Sequence, residues 1–226
     1  MRLAGIDGCK GGWVAVIAHS DTAQPSLHVA PDLDSVMAGV DFALVDMPLG
    51  LVDGPAPRRV EPALRAALPG KASSVFPTPC RAALACDDYA DASKTNHARL
   101  SRKLTKQTYN LFPKMRELDV TGAAMGQTRL REGHPEVSFA LMTGAPLLSR
   151  KRQPQGRRDR LDALSAQGID GAALLATARA LPVAPDDVLD AAALLWSARR
   201  FRCGQHSTFP ARPDRDARGL EMSVIA

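Results

Sequence analysis

Aromatic residues make up only 4% of the 226-residue chain, so recognition of nucleic-acid bases by aromatic stacking has little support. Cysteine is also sparse. Cys9, Cys80, Cys86 and Cys203 are scattered with no CxxC pair, and the chain opens without the basic-then-apolar pattern of a signal peptide. Reduced thiols in a cytoplasmic protein are therefore expected. No apolar run approaches the ~20 residues that span a bilayer. The richest, DAAALLWSA at 190–198, is far shorter, and no membrane partner is expected. Internal repeats are absent too. What is present is enough hydrophobic residue, 45%, to bury the core of one large domain over 1–226, with room for an insertion. Lys and Arg total 29 against 24 Asp and Glu, a net charge of +5, which permits a nucleic-acid partner without demanding one.

The first seventeen residues, MRLAGIDGCKGGWVAVI, read as a β-hairpin with Asp7 at the end of its first strand. Gly8, Gly11 and Gly12 carry no side chains, so a metal ion or a phosphodiester has room to approach Asp7. Asp-Gly is also a common turn dipeptide, and from this stretch alone shaping the turn is the simpler role. SLHVA (26–30) suits a third strand, and Leu33, Val36, Met37 and Val40 give residues 31–40 a helical spacing. FALV (42–45) then reads as a strand buried on both faces, ending at Asp46. Two strands that each end in Asp can lie side by side, with both carboxylates at one edge. A turn role before Met47-Pro48 fits Asp46 equally well.

Prolines at 55, 57, 62, 69, 77 and 79 mark residues 50–115 as an insertion of short helices and loops. Within it Lys94, Arg99, Arg102, Lys103, Lys106, Lys114 and Arg116 form a one-signed series, a solvated face or a phosphate-facing one. TRLRE (128–132) suits a strand running into His134-Pro135-Glu136, where Pro135 opens a helix through Met142 and Gly144 closes it. Glu136 in a first helical turn is explained by the helix dipole, or acts as a further metal-binding or water-orienting carboxylate. His134 is a structural imidazole or a general base. SRKRQPQGRRDR (149–160) is the densest basic patch and reads as a loop, solvated or contacting phosphate. A long helix follows over 186–203, with Asp186 suited to the N-cap and Asp187 and Asp190 on one face. Two carboxylates ahead of an apolar helix body are costly unless a cation neutralises them. Residues 220–225 suit a closing edge strand.

Asp7, Asp46, Glu136, Asp187 and Asp190 form the candidate catalytic set, with Asp7, Asp46, Asp187 and Asp190 as candidate metal ligands. All-oxygen clusters favour Mg²⁺ or Mn²⁺. Two such ions about 4 Å apart serve in-line phosphoryl displacement. Lys10, Lys106, Gln107, His134, Lys151 and Arg158 are candidate substrate contacts.

Six segments in chain order, GIDGCKGGWV (5–14), DMPLGL (46–51), SSVFPTPCR (73–81), KQTYNLFPKMRELD (106–119), GHPEVSF (133–139) and DDVLDA (186–191), resemble domain-of-unknown-function family 429, a family of predicted ribonuclease-H-like nucleases. The resemblance implies an α/β fold with a mixed sheet, helices on both faces and a helical insertion. The wider superfamily, Holliday-junction resolvases included, keeps an Asp on its first strand, an acidic residue ending its fourth and acidic residues on a late helix. Those roles fall on Asp7, on Asp46, and on Asp187 with Asp190, whose DxxDA spacing is similar to the resolvase helix; Glu136 has no equally clear counterpart. The resemblance implies a metal-dependent nuclease leaving 5′-phosphate and 3′-hydroxyl ends. The alternatives are a nucleic-acid-binding or scaffolding domain of the same fold without chemistry, and an actin- or sugar-kinase-like phosphate binder. The last needs two copies of the fold, which a chain of this length without a repeat does not supply.

Overall fold

The computed structural model describes residues 1–19 and 24–226. A tight turn at Lys10 and Gly11 joins β1 (Arg2–Cys9) to β2 (Gly12–His19), and β3 (Ser26–Ala30) pairs with β2 to complete an antiparallel meander. Residues 31–40 hold a single helical turn, α1 (Leu33–Val36), capped by the Asp32 side chain. Strand β4 (Phe42–Val45) then runs parallel to β1. The insertion expected at 50–115 runs further and carries α2 (Val60–Ala67), α3 (Arg81–Leu84), α4 (Tyr89–Leu100), α5 (Lys106–Asn110), α6 (Phe112–Glu117) and, beyond the expected end, α7 (Ala123–Met125). It ends where β5 (Leu130–Gly133) joins β4 in parallel, followed by α8 (Pro135–Thr143), α9 (Pro154–Ala166), α10 (Gly171–Ala178) and α11 (Pro185–Arg202). The chain closes on β6 (Thr208–Arg215) and β7 (Glu221–Ile225).

The strands form one mixed sheet in the order β3-β2-β1-β4-β5-β7-β6. This is an α/β, ribonuclease-H-like architecture with helices on both faces. The side-chain alternation of β1 decides what each face meets. Ala4 and Ile6, with Ala15 and Ile17 of β2 and Val45 of β4, pack in one apolar cluster with Cys80, Leu84, Phe112, Met115 and Leu118 of the insertion. Leu3 and Cys9, with Val14, Val16, Phe42 and Leu44, face Ala191, Leu194, Leu195 and Ala198 of α11. Glycine makes that second contact close: a Cβ on Gly5 would stand 2.0 Å from the Ala191 carbonyl oxygen, and one on Gly133 would stand 2.5 Å from Leu194 Cδ2. Helix α11 thus lies directly on β1, β2 and β4 and reaches Gly133 of β5 through Leu194, with its N-terminal end at the C-terminal ends of the parallel strands.

Four local expectations need correction. Asp7 lies inside β1, opposite Val14, because the hairpin turn falls later, at Lys10 and Gly11. The basic segment 149–160 is largely the start of α9, opened by Pro154 at a position where a missing N–H costs nothing. Ala184, not Asp186, is the N-cap of α11; Pro185 takes the first helical position and leaves the Asp186 side chain to ion pairs. Finally, β7 is interior, between β5 and β6, and β6 is the edge. Pro210 and Pro213 hide β6 from any alternating pattern, and prolines suit an edge that must resist further pairing. Among the described residues, no helix is long and apolar enough to cross a membrane.

Candidate metal centre

Pleating brings the three central carboxylates together. Asp7 follows Leu3 and Gly5 on the α11-facing side of β1. The Asp46 amide donates to the Ile6 carbonyl at 2.9 Å, extending the β1–β4 ladder by one step, so Asp46 stands beside Asp7 on the face of Phe42 and Leu44. Asp190 comes down from α11 immediately before Ala191, the residue pressed on Gly5. One carboxylate oxygen from each of Asp7, Asp46 and Asp190 lies within 4.8 Å of the others. Asp7 is 8% exposed and Asp190 only 2%, while Asp46 is half-buried. These acids open on a cavity of about 360 Å³, lined also by Asp187, Ser73, Ser74, Phe76, Gln107, Lys114, His134, Glu136 and Lys151.

Such crowding is electrostatically unfavourable without a cation. Burial, then the charges of Asp46 and Asp190, pushes Asp7 well above the usual carboxylate range. Burial and Asp190 push Asp46 up to about 8. Burial and Asp186 push Asp187 up to about 6. Asp190 is also raised by burial, against the Lys151 ammonium, whose Nζ donates to Asp190 Oδ2 at 2.6 Å. Burial opposes the charge on Lys151, but Asp190, with Asp7 and Asp46 adding to it, holds the ammonium above its usual value. Asp186 is the exception: burial raises it, but Lys151 at 3.6 Å and Arg152 at 3.2 Å bring it below the usual range.

The donor set fits a hard divalent ion. Its ligands are all carboxylate oxygens, as Mg²⁺ and Mn²⁺ prefer. Asp190 Oδ1 is buried and has no hydrogen-bond partner in the protein. A buried ionised oxygen left unmatched is costly, and a cation at the three-carboxylate cluster would satisfy it.

Around this cluster the predicted residues take different places. Asp187 lines the cavity but stands outside the three-oxygen group. Glu136 lines it too, and one of its oxygens is held by Arg160 at 2.6 Å and Lys71 at 3.5 Å, while Oε2 is buried without a partner. His134 precedes α8 with Nδ1 buried and unpaired, and burial pushes its pKa down to about 4, so the ring is neutral near pH 7. Gln107 and Lys151 reach the cavity. Lys10, Lys106 and Arg158 are not among its lining residues: Lys10 is exposed at the hairpin tip, the Lys106 ammonium sits 5.9 Å from the Tyr89 ring centre, and Arg158 donates to Gln155.

The sequence did not single out Lys71, Ser73, Ser74 or Arg160 for the site. Arg160 is fully buried beneath α9, and its only sequence signal was membership of a basic run whose other arginines are exposed. Lys114 stood in the insertion's basic series with nothing to separate it from its neighbours. Its side chain crosses Gly8, where a Cβ would come within 2.6 Å of it. Its ammonium donates to the Gly12 carbonyl and lies 4.7 Å from the Trp13 ring centre.

The fold and this cluster define an α/β protein of ribonuclease-H-like architecture with a buried carboxylate centre at the ends of its parallel strands. Over residues 5–215 the chain matches the family described as "Protein of unknown function (DUF429)", and it belongs to that family. No curated protein and no solved structure matched the chain.

Proposed function

We propose that this protein is a divalent-metal-dependent phosphodiesterase acting on nucleic acid. The observation that carries the reading is the convergence of Asp7, Asp46 and Asp190 from three separate elements, with Asp190 Oδ1 buried and unmatched. Asp7, Asp46 and Asp190 would hold Mg²⁺ or Mn²⁺, with Asp187 beside them. The bound ion would supply Lewis-acid polarisation of a phosphate oxygen and activation of water near neutral pH.

The protein's own groups do the rest. His134, neutral near pH 7, and Glu136 both line the cavity, and His134 Nδ1 and Glu136 Oε2, buried without a partner in the protein, would each accept a hydrogen bond from a water molecule that reached them. Outside the cavity, Arg150, Arg152, Arg157 and Arg158 are exposed along one segment. There they would meet the flanking phosphates, which position a substrate without reading its sequence. The four cysteines are all free, which supports placing the protein in the cytoplasm.

The test is cleavage of labelled single-stranded DNA, duplex DNA, RNA, RNA–DNA hybrid and branched DNA, with Mn²⁺, Mg²⁺ or EDTA. Asp7→Asn and Asp190→Asn are run beside the wild type. Metal-dependent cutting that both variants lose is expected. Absence of cutting in every lane, with variants binding nucleic acid as well as the wild type does, would overturn the catalytic reading in favour of a non-catalytic binding domain.

A further inference from the structure

The Asp190 carboxylate divides its two oxygens. Oδ2 accepts from the Lys151 ammonium at 2.6 Å, while Oδ1, buried and unpartnered, is left to the cluster with Asp7 and Asp46. The same ammonium stands 3.6 Å from Asp186 Oδ2, an oxygen that Arg152 holds at 3.2 Å from the other side. A second divalent ion beside the first would have to share a carboxylate with it and find further oxygen ligands close by. On the α11 side of the cluster, Lys151 already engages Asp190 Oδ2 and Asp186 Oδ2, which leaves Asp187, a cavity-lining carboxylate outside the three-oxygen group, as the one other acid of the helix.

We infer that this centre takes one divalent ion, and that the Lys151 ammonium holds the position a second ion would occupy. The inference rests on the metal-centre reading above and narrows it, from the two ions expected for such a cluster to one ion and one fixed organic cation. It also separates Lys151 from the exposed arginines of its segment. Those side chains are exposed to solvent, where phosphate can reach them, whereas Lys151 is turned inward and neutralises the centre. An ammonium is a compact charge with three donors and no ligand-exchange chemistry, so it can offset negative charge on Asp190 and Asp186 while leaving Asp190 Oδ1 to the first ion.

The experiment is Mn²⁺ titration of the full chain, followed by isothermal calorimetry and by the loss of the free-ion electron paramagnetic resonance signal. Wild type, Lys151→Met and Lys151→Arg are compared, each verified as folded by circular dichroism. Expected is about one Mn²⁺ per chain for the wild type and for Lys151→Arg, rising to about two for Lys151→Met. Two ions bound by the wild type would overturn the inference while leaving the metal centre standing. One ion in folded Lys151→Met would do the same. If Lys151→Met fails to fold, the wild-type and Lys151→Arg stoichiometries still decide. No Mn²⁺ bound by the wild type or either variant would remove the metal centre itself, and this inference with it.

Discussion

Asp46 and Asp187 are carboxylates whose charge the fold makes expensive. Without metal, the folded chain keeps protons on Asp46, at about 8, and Asp187, at about 6, in a range where the unfolded chain has released them. Glu132 adds to this: burial raises it to about 7 despite a 2.5 Å contact with buried Arg58. His134, lowered to about 4, works the other way below the usual histidine range, but the raised carboxylates outnumber it, so the folded state binds more protons and stability falls as pH rises from about 4 to 8. Thermal melts in EDTA should therefore show a declining Tm between pH 5 and pH 8. Asp46→Asn should flatten that slope, and Mn²⁺ should raise the wild-type Tm more at pH 8 than at pH 5.5. A wild-type Tm that climbs over this range would contradict the assignment. Arg160 makes the opposite case, a cation held by its partners. Its side chain is fully buried and bonds Glu136 and the Gly156 carbonyl, so Arg160→Met leaves a buried carboxylate with only the longer contact to Lys71, at a cost of about 3 kcal/mol. For a chain of this size that lowers Tm by about 10 °C, measurable by calorimetry.

Helix α11 and the strands beneath it show what the sequence could disclose. The short apolar runs ending near Asp7 and Asp46 and the DxxD spacing at 187–190 were visible because strand and helix periodicities are local. The pairing of Glu136 with Arg160 was not, because the ion pair between α8 and α9 joins positions 24 residues apart. Reading 149–160 as a loop failed for a related reason: a basic composition masked a helix whose buried residues within that stretch, Gly156 and Arg160, are not apolar side chains, the apolar Ala163 and Leu164 following only beyond it. Strand β6 was lost to its prolines. The seam itself depends on Gly5, whose absent side chain lets the Ala191 backbone approach. Gly5→Ala should push α11 off β1, costing on the order of 2 kcal/mol or more and weakening Mn²⁺ binding measured by calorimetry. Unchanged Mn²⁺ affinity in that variant would show that α11 does not set the position of Asp190.

Sheet and insertion share an apolar cluster, in which Ile6, Ala15 and Val45 meet Phe112, Met115 and Leu118, so the insertion has no separate core to fold around. Urea unfolding should be a single transition, coincident by circular dichroism and by the fluorescence of Trp13 and Trp196. A first transition confined to one probe would show separable units. Charge is also distributed over the molecule rather than at the centre alone. Replacing Arg150, Arg152 and Arg157 together by Gln should weaken nucleic-acid binding and lessen the slope of log affinity against log salt by roughly two to three.

The glycine-lined seam has one more consequence. Asp190 and Leu194 stand one turn apart on α11, the first in the acid cluster and the second against Gly133. With side chains about 5 Å from a helix axis, a roll of roughly 10° moves a carboxylate by nearly 1 Å, which under the proposed activity would cost about a hundredfold in rate. A mutational scan would then trace a stripe: substitutions that silence the protein without unfolding it would recur every third or fourth residue down α11, far from any substrate, instead of clustering in a sphere around the acids.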